Sequence, residues 1–217
     1  MLGWMLYSND NQDRIARTGG MDVFVGNPND PSIQPGGRNE QWCPGSVDAG
    51  NGVASTNYLL LEKGMIFSQV KNRAVYKCCA DRKNYLGTPT IRSMSMNCWF
   101  NPINEWTETA GKLIRKTTDM SAPSPAMTWV TIDENPESIN DGWFVVNVTK
   151  GNPKGLQWVD YPASYHNNAG GLSFADGHSE IKKWKDATVL KVPAGSGRTS
   201  SSAGDIVWLS ERTTQAR

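Results

Sequence analysis

The stretch GLSFADGHSEIKKW, residues 171 to 184, places two short extended runs on either side of Asp176 and Gly177. Asp-Gly between such runs is a strong hairpin signal, because a type I′ turn needs positive φ at both central residues. Upstream, AMTWVTI and GWFVVNV are rich in valine, threonine and aromatic side chains and are separated by the polar loop DENPESIND. Residues of these types favour extended backbone. The expectation is an antiparallel sheet whose polar loops meet at one edge, inside an α+β domain with scarce, short helices.

The rest of the chain agrees with a loop-rich domain. It holds 21 glycines and 12 prolines in 217 residues, and these cut every apolar run short. Residues 57–70, NYLLLEKGMIFSQV, carry apolar side chains at near-helical spacing, with Gly64 placed to end a short helix. AVYKCCAD and TIRSMSMNCWF read as two strands joined by a turn, and a third is expected in DVFVG, residues 22–26. LIRK, residues 113–116, reads as a short helix. GSGRTSSSAG has linker composition, and DIVWL after it reads as a last strand. The first residues, MLGWMLYSNDNQDR, put Leu2, Met5 and Leu6 on one helical face with no capping residue ahead of them, which suggests the end of a longer helix.

Charge excludes some functions. Lys plus Arg is 22 against 21 for Asp plus Glu, so no long-range field draws the protein to nucleic acid or to an anionic membrane. No apolar run is long enough to cross a bilayer, and no signal peptide is present. Four cysteines, Cys43, Cys78, Cys79 and Cys98, have no metal-finger spacing. Either one disulfide, Cys43 to Cys78, forms in an oxidising compartment, or the thiols stay free and buried.

Three stretches hold candidate chemistry. In DENPESIND, the oxygens of Asp133, Glu134, Ser138, Asn140 and Asp141 are the ligand types a calcium ion takes, although the loop lacks the EF-hand glycine and closing glutamate. Asp160 lies in QWVDYP. Asp176 and His178 lie in the opening hairpin and His166 five residues ahead of it, and a zinc reading would use both histidines with Asp160 or Asp176. The simpler reading has His166 folding back to donate a hydrogen bond to Asp176 or to a backbone carbonyl. No GxSxG elbow is present, and no pair of carboxylates stands out for glycoside cleavage. Trp99, Trp106, Trp143, Trp158 and Trp184 are either a sugar-stacking platform or core.

His166, nine residues, then Asp176 and Gly177 resembles the motif of the H-x9-DG pilin-like proteins, relatives of type IV pilins and type II secretion pseudopilins abundant in planctomycete and verrucomicrobial bacteria. YSNDNQDR, QWCPGS, VYKCCADR, IRSMSMN, DENPESINDGWF and DYPASYHNNAGGLSFADGHSEIKKW follow that family's order over most of residues 1–190, leaving 191–217 as a Ser/Gly-rich tail. Two features depart from it: the family's basic leader and apolar membrane helix are not among residues 1–217, so either a segment ahead of Met1 is missing or the membrane role is lost, and Cys78-Cys79-Ala80-Asp81 stands where the family has Cys-Pro-Ala-Asp. The resemblance implies a pilin-like α+β head, an N-terminal helix packed on an antiparallel sheet with long loops. It also implies a structural role in a type IV pilus-like or pseudopilus-like filament at the cell surface or in the periplasm, with copies of itself or related subunits as partners. Membrane contact would come only through the missing helix, and Ca2+ would bind near Asp133 to Asp141. In this reading His166, Asp176, Gly177, His178 and Asp160 hold the C-terminal hairpin. The rival expectation is an extracellular carbohydrate-binding or metal-dependent hydrolytic domain.

Overall fold

Alternating apolar and polar side chains give a strand two different faces, and the sheet of this protein is built where that alternation is strongest. The computed structural model describes residues 1–20, 25–104, 110–148, 157–192, 198–200 and 203–217. In chain order these form α1 (Leu2–Asp10), α2 (Tyr58–Glu62), α3 (Phe67–Val70), β1 (Asn84–Tyr85), β2 (Thr88–Pro89), β3 (Met94–Asn97), β4 (Trp129–Asp133), β5 (Trp143–Phe144), β6 (Gln157–Trp158), β7 (Ala169–Phe174), β8 (Ser179–Lys183), α4 (Ala187–Leu190), β9 (Arg198–Thr199) and α5 (Gly204–Ser210), with short 3-10 turns between them. The fold is α+β. Its main sheet has the order β5-β3-β4-β7-β8, and the pairs β1-β2 and β6-β9 stand apart.

Register sorts the side chains. Met94 pairs with Asp133, Met96 with Thr131, Thr131 with Ser173, Gly171 with Ile181 and Ser173 with Ser179, so these residues share one face. A bulge between Trp129 and Thr131 lets Trp129 and Ile132 share the opposite face with Leu172 and Phe174. On the first face α1 packs through Trp4, whose ring stacks on Phe100 at 5.8 Å, above a core of Met96, Val130, Ile15, Trp42 and Tyr76. On the second, Trp129, Phe144, Trp158, Trp184, Ile206 and Leu209 form a separate aromatic-rich core.

Several expectations change. The sheet is mixed, because β5 runs parallel to β3. AVYKCCAD is not a strand: Asn72 accepts from the Ala74 N–H at 2.9 Å and caps a 3-10 turn, Arg73–Tyr76, before an irregular loop. LIRK is not helical, since Ile114 bridges Phe100 and Lys116 bridges Arg14. DIVWL forms helix α5, with Ile206 and Leu209 one turn apart and both buried. Asp205 lies in the first turn, where its charge suits the helix dipole. Residues 203–217 are therefore part of the core and not a loose tail. The strand expected in DVFVG falls mostly outside the described residues.

Other expectations hold. Helix α2 ends before Gly64, where a Cβ would lie 2.1 Å from the Trp42 carbonyl oxygen. The β7–β8 hairpin forms around Asp176 and Gly177, but through a different turn. The Gly177 N–H donates to the Phe174 carbonyl, and of the two residues only Gly177 has positive φ, at 102°. This is a type I turn closed by a glycine bulge, which needs one left-handed residue where type I′ needs two.

Candidate functional site

The loop before β7 doubles back, with the His166 N–H donating to Ala169 and the Trp184 N–H to Asn168. This carries the His166 imidazole to the end of β4 and not to the hairpin tip. Its Nε2 lies 3.3 Å from Cys78 Sγ and 3.9 Å from Asp133 Oδ2. Among the described residues these three are the one group of metal-ligating side chains whose ligand atoms all lie within 4.8 Å of one another. Asp133 also accepts the Gly171 N–H at 3.0 Å, and Cys78 Sγ accepts the Ala80 N–H at 3.4 Å. Burial raises the Asp133 carboxyl above its ordinary pKa, against the opposing pull of the Gly171 N–H and of His166. The Tyr165 hydroxyl is buried here beside Ser93. Burial and then the charge of Asp133 push its pKa up.

The other motif residues separate into two places. At the hairpin tip, the Asp176 carboxylate bonds His178 Nδ1 at 2.6 Å and its backbone N–H at 3.1 Å. Those bonds hold Asp176 below its ordinary pKa. The His178 ring stacks on Phe174 at 4.3 Å. His178 thus takes the partner expected for His166. Gly177 touches α1, where a Cβ on it would be 3.3 Å from Met5 Sδ. Asp160 joins neither histidine. It is buried and accepts the Val145 N–H at 2.6 Å.

The five oxygens expected around one calcium ion divide between the two faces of the sheet. Asp133 faces His166, whereas the next residue, Glu134, is 1% exposed on the other side. There Glu134 accepts from Ser138 Oγ at 3.0 Å. Asn140 and Asp141 spend side-chain oxygens on the N–H groups of Asp141 and Trp143. Burial pushes Glu134 up to about 8, opposed by Ser95 and by the Arg92 guanidinium and reinforced by Asp141. Asp160 is raised well above the usual carboxylate range, first by burial and then by Glu134. Fully buried Arg92 donates to Met94, Ser95 and Asn140 in the same interior. These buried acids raise one another's pKa and bond to loop hydroxyl and backbone groups.

All four cysteines are free, so the Cys43 to Cys78 disulfide does not form. Cys43 is buried, which raises its thiol to about 11 despite Arg92; Cys78 faces His166. Trp99, Trp143, Trp158 and Trp184 are buried, which removes them as a sugar platform. Trp99, Trp158 and Trp184 donate indole N–H bonds to Val146, Asp186 and Ala163. Trp106 lies outside the described residues. Sequence reasoning gave Cys78 only Cys43 as a partner and missed its place in this group, because its neighbours Asp133 and His166 are remote in the chain and match no spacing rule. The only hint was an unusual pair of adjacent cysteines. No protein-family model, curated protein or solved structure matches the chain.

Proposed function

We propose that the protein is the globular head of a pilin-like subunit, a non-enzymatic building block that packs with copies of itself or related subunits in a filament of the type IV pilus or type II secretion pseudopilus kind, outside the cytoplasm. One observation carries this reading. Helix α1, LGWMLYSND, is covered by its own chain on the side of Trp4 and Ser8, with Gly3, Met5 and Tyr7 half-buried, yet it leaves Leu2 72% and Leu6 39% exposed one turn apart. An apolar stripe left exposed on a helix suits packing against another element, and the Leu2 and Leu6 stripe suits a neighbouring subunit. The tip of the β7–β8 hairpin lies beside that helix, close enough that a Cβ on Gly177 would fall 3.3 Å from Met5 Sδ.

The test is incorporation. Antibody raised against the head should label filaments sheared from the surface of the producing cell, or pseudopili where secretion components are overproduced. Leu2→Glu together with Leu6→Glu, which leaves Trp4 in place, should remove the chain from them while the purified head keeps its melting temperature. Filaments that lack the chain, or that accept the doubly charged variant as readily as the parent, would defeat the proposal.

A further inference from the structure

We propose that Cys78, Asp133 and His166 bind a zinc-class divalent cation through thiolate, carboxylate and imidazole, with a fourth position for water. The distances suit it. Around a tetrahedral zinc ion with ordinary bond lengths, neighbouring ligand atoms stand roughly 3.4–3.6 Å apart; here sulfur to imidazole is 3.3 Å and imidazole to carboxylate 3.9 Å. Sulfur and nitrogen donors select zinc and its transition-metal neighbours over calcium, which takes six to eight oxygens.

The geometry also separates a metal site from a nucleophile. In a Cys-His-Asp relay the thiol and the carboxylate occupy different ring nitrogens. Here Sγ and Oδ2 both approach Nε2, as ligands around one ion do. Each anionic ligand has an outer partner of the kind that fixes metal ligands: Ala80 N–H on the sulfur, Gly171 N–H on the carboxylate. The Cys78 backbone is held in turn, its N–H donating to Ser93 Oγ at 2.7 Å. A groove of about 340 Å³ on the α1 face, bordered by Asp133, Met94, Thr131, Gly171 and Ile181, gives an entry path.

Binding would exchange the Cys78 thiol proton for the cation and release that proton to solvent, so affinity should rise with pH. The ion would tie together three segments remote in sequence: the loop after the Arg73–Tyr76 turn, the end of β4, and the loop before β7. None of this depends on filament assembly, and the isolated chain is enough to test it.

The experiment titrates chelator-treated, reduced protein with Co2+ and then displaces it with Zn2+. One equivalent of Co2+ should give tetrahedral visible bands and a thiolate charge-transfer band, and Zn2+ should abolish both. Cys78→Ser should lose the charge-transfer band, and His166→Ala and Asp133→Asn should each weaken Zn2+ binding by about tenfold or more. Cys79→Ser should leave the spectrum unchanged. Metal-free melting of each variant shows whether it is folded, and the titration is read only from those that are. Absence of the band in folded parent protein, its persistence in Cys78→Ser, or its loss in Cys79→Ser overturns the proposal.

Discussion

The two faces of the five-stranded sheet are closed differently. One carries Trp129, Ile132, Leu172 and Phe174 and is sealed by Trp158, Trp184 and helix α5 into an aromatic-rich core. The other is covered by α1 only toward Met96 and Val130, and beyond that it opens as a groove lined by Thr131, Asp133, Ser173 and Ser179. Strand β4 serves both. Asp133 and Glu134, adjacent in sequence, therefore meet opposite surroundings: the first a half-open corner with a thiol and an imidazole, the second an interior of mutually repelling acids. A carboxylate's chemistry here is set by the side of the sheet it faces.

The largest expected effect tests the sealed face. Leu209→Ala should cost about 2–5 kcal/mol in denaturant unfolding, the usual penalty for emptying a fully buried leucine site. A loss below about 1 kcal/mol would mean that α5 is a detachable tail after all.

Glu134→Gln comes next. The folded-state pKa of Glu134 lies above the ordinary 4.5, so the folded chain holds a proton that the unfolded chain releases. Stability then falls as pH rises from about 4.5 to about 8 and levels off beyond. The amide cannot ionise, and it still accepts from Ser138. At pH 8 the variant should be more stable than the parent by roughly 1–3 kcal/mol, with little difference at pH 4. Parallel pH profiles for the two proteins would contradict the assignment of Glu134 to a buried acid set.

On the open face the effects are smaller. Gly177→Ala forces a side chain into φ 102° and toward Met5, and should cost about 1 kcal/mol or somewhat more. Without metal, Asp133→Asn should change stability by no more than about 0.5 kcal/mol, because the amide oxygen can still accept the Gly171 N–H. With Zn2+ present the parent should melt higher and this variant should not follow it, while Ca2+ should move neither.

The sheet was largely legible in the sequence because alternation is a local signal. β3 and β8 fall within the expected runs and β4 and β7 overlap them, and Asp176-Gly177 marks the β7–β8 hairpin, although one left-handed residue suffices where two were expected. DIVWL misled because its β-branched residues suit a strand, whereas the contacts that make it a helix, Asp205 on the Lys185 and Asp186 N–H groups and Leu209 against the far face of the sheet, are tertiary. The site was half legible. His166 and Asp133 were both singled out, each for a different partner, and their meeting at Cys78 depends on a loop path that no spacing encodes.

The most direct measurement of this two-faced account is a crystal of the reduced protein soaked with Zn2+ and recorded on both sides of the zinc absorption edge. The account predicts one anomalous peak, between Cys78 Sγ, Asp133 Oδ2 and His166 Nε2. A peak among Glu134, Asp141 and Asp160, or none at the Cys78 corner, would contradict it.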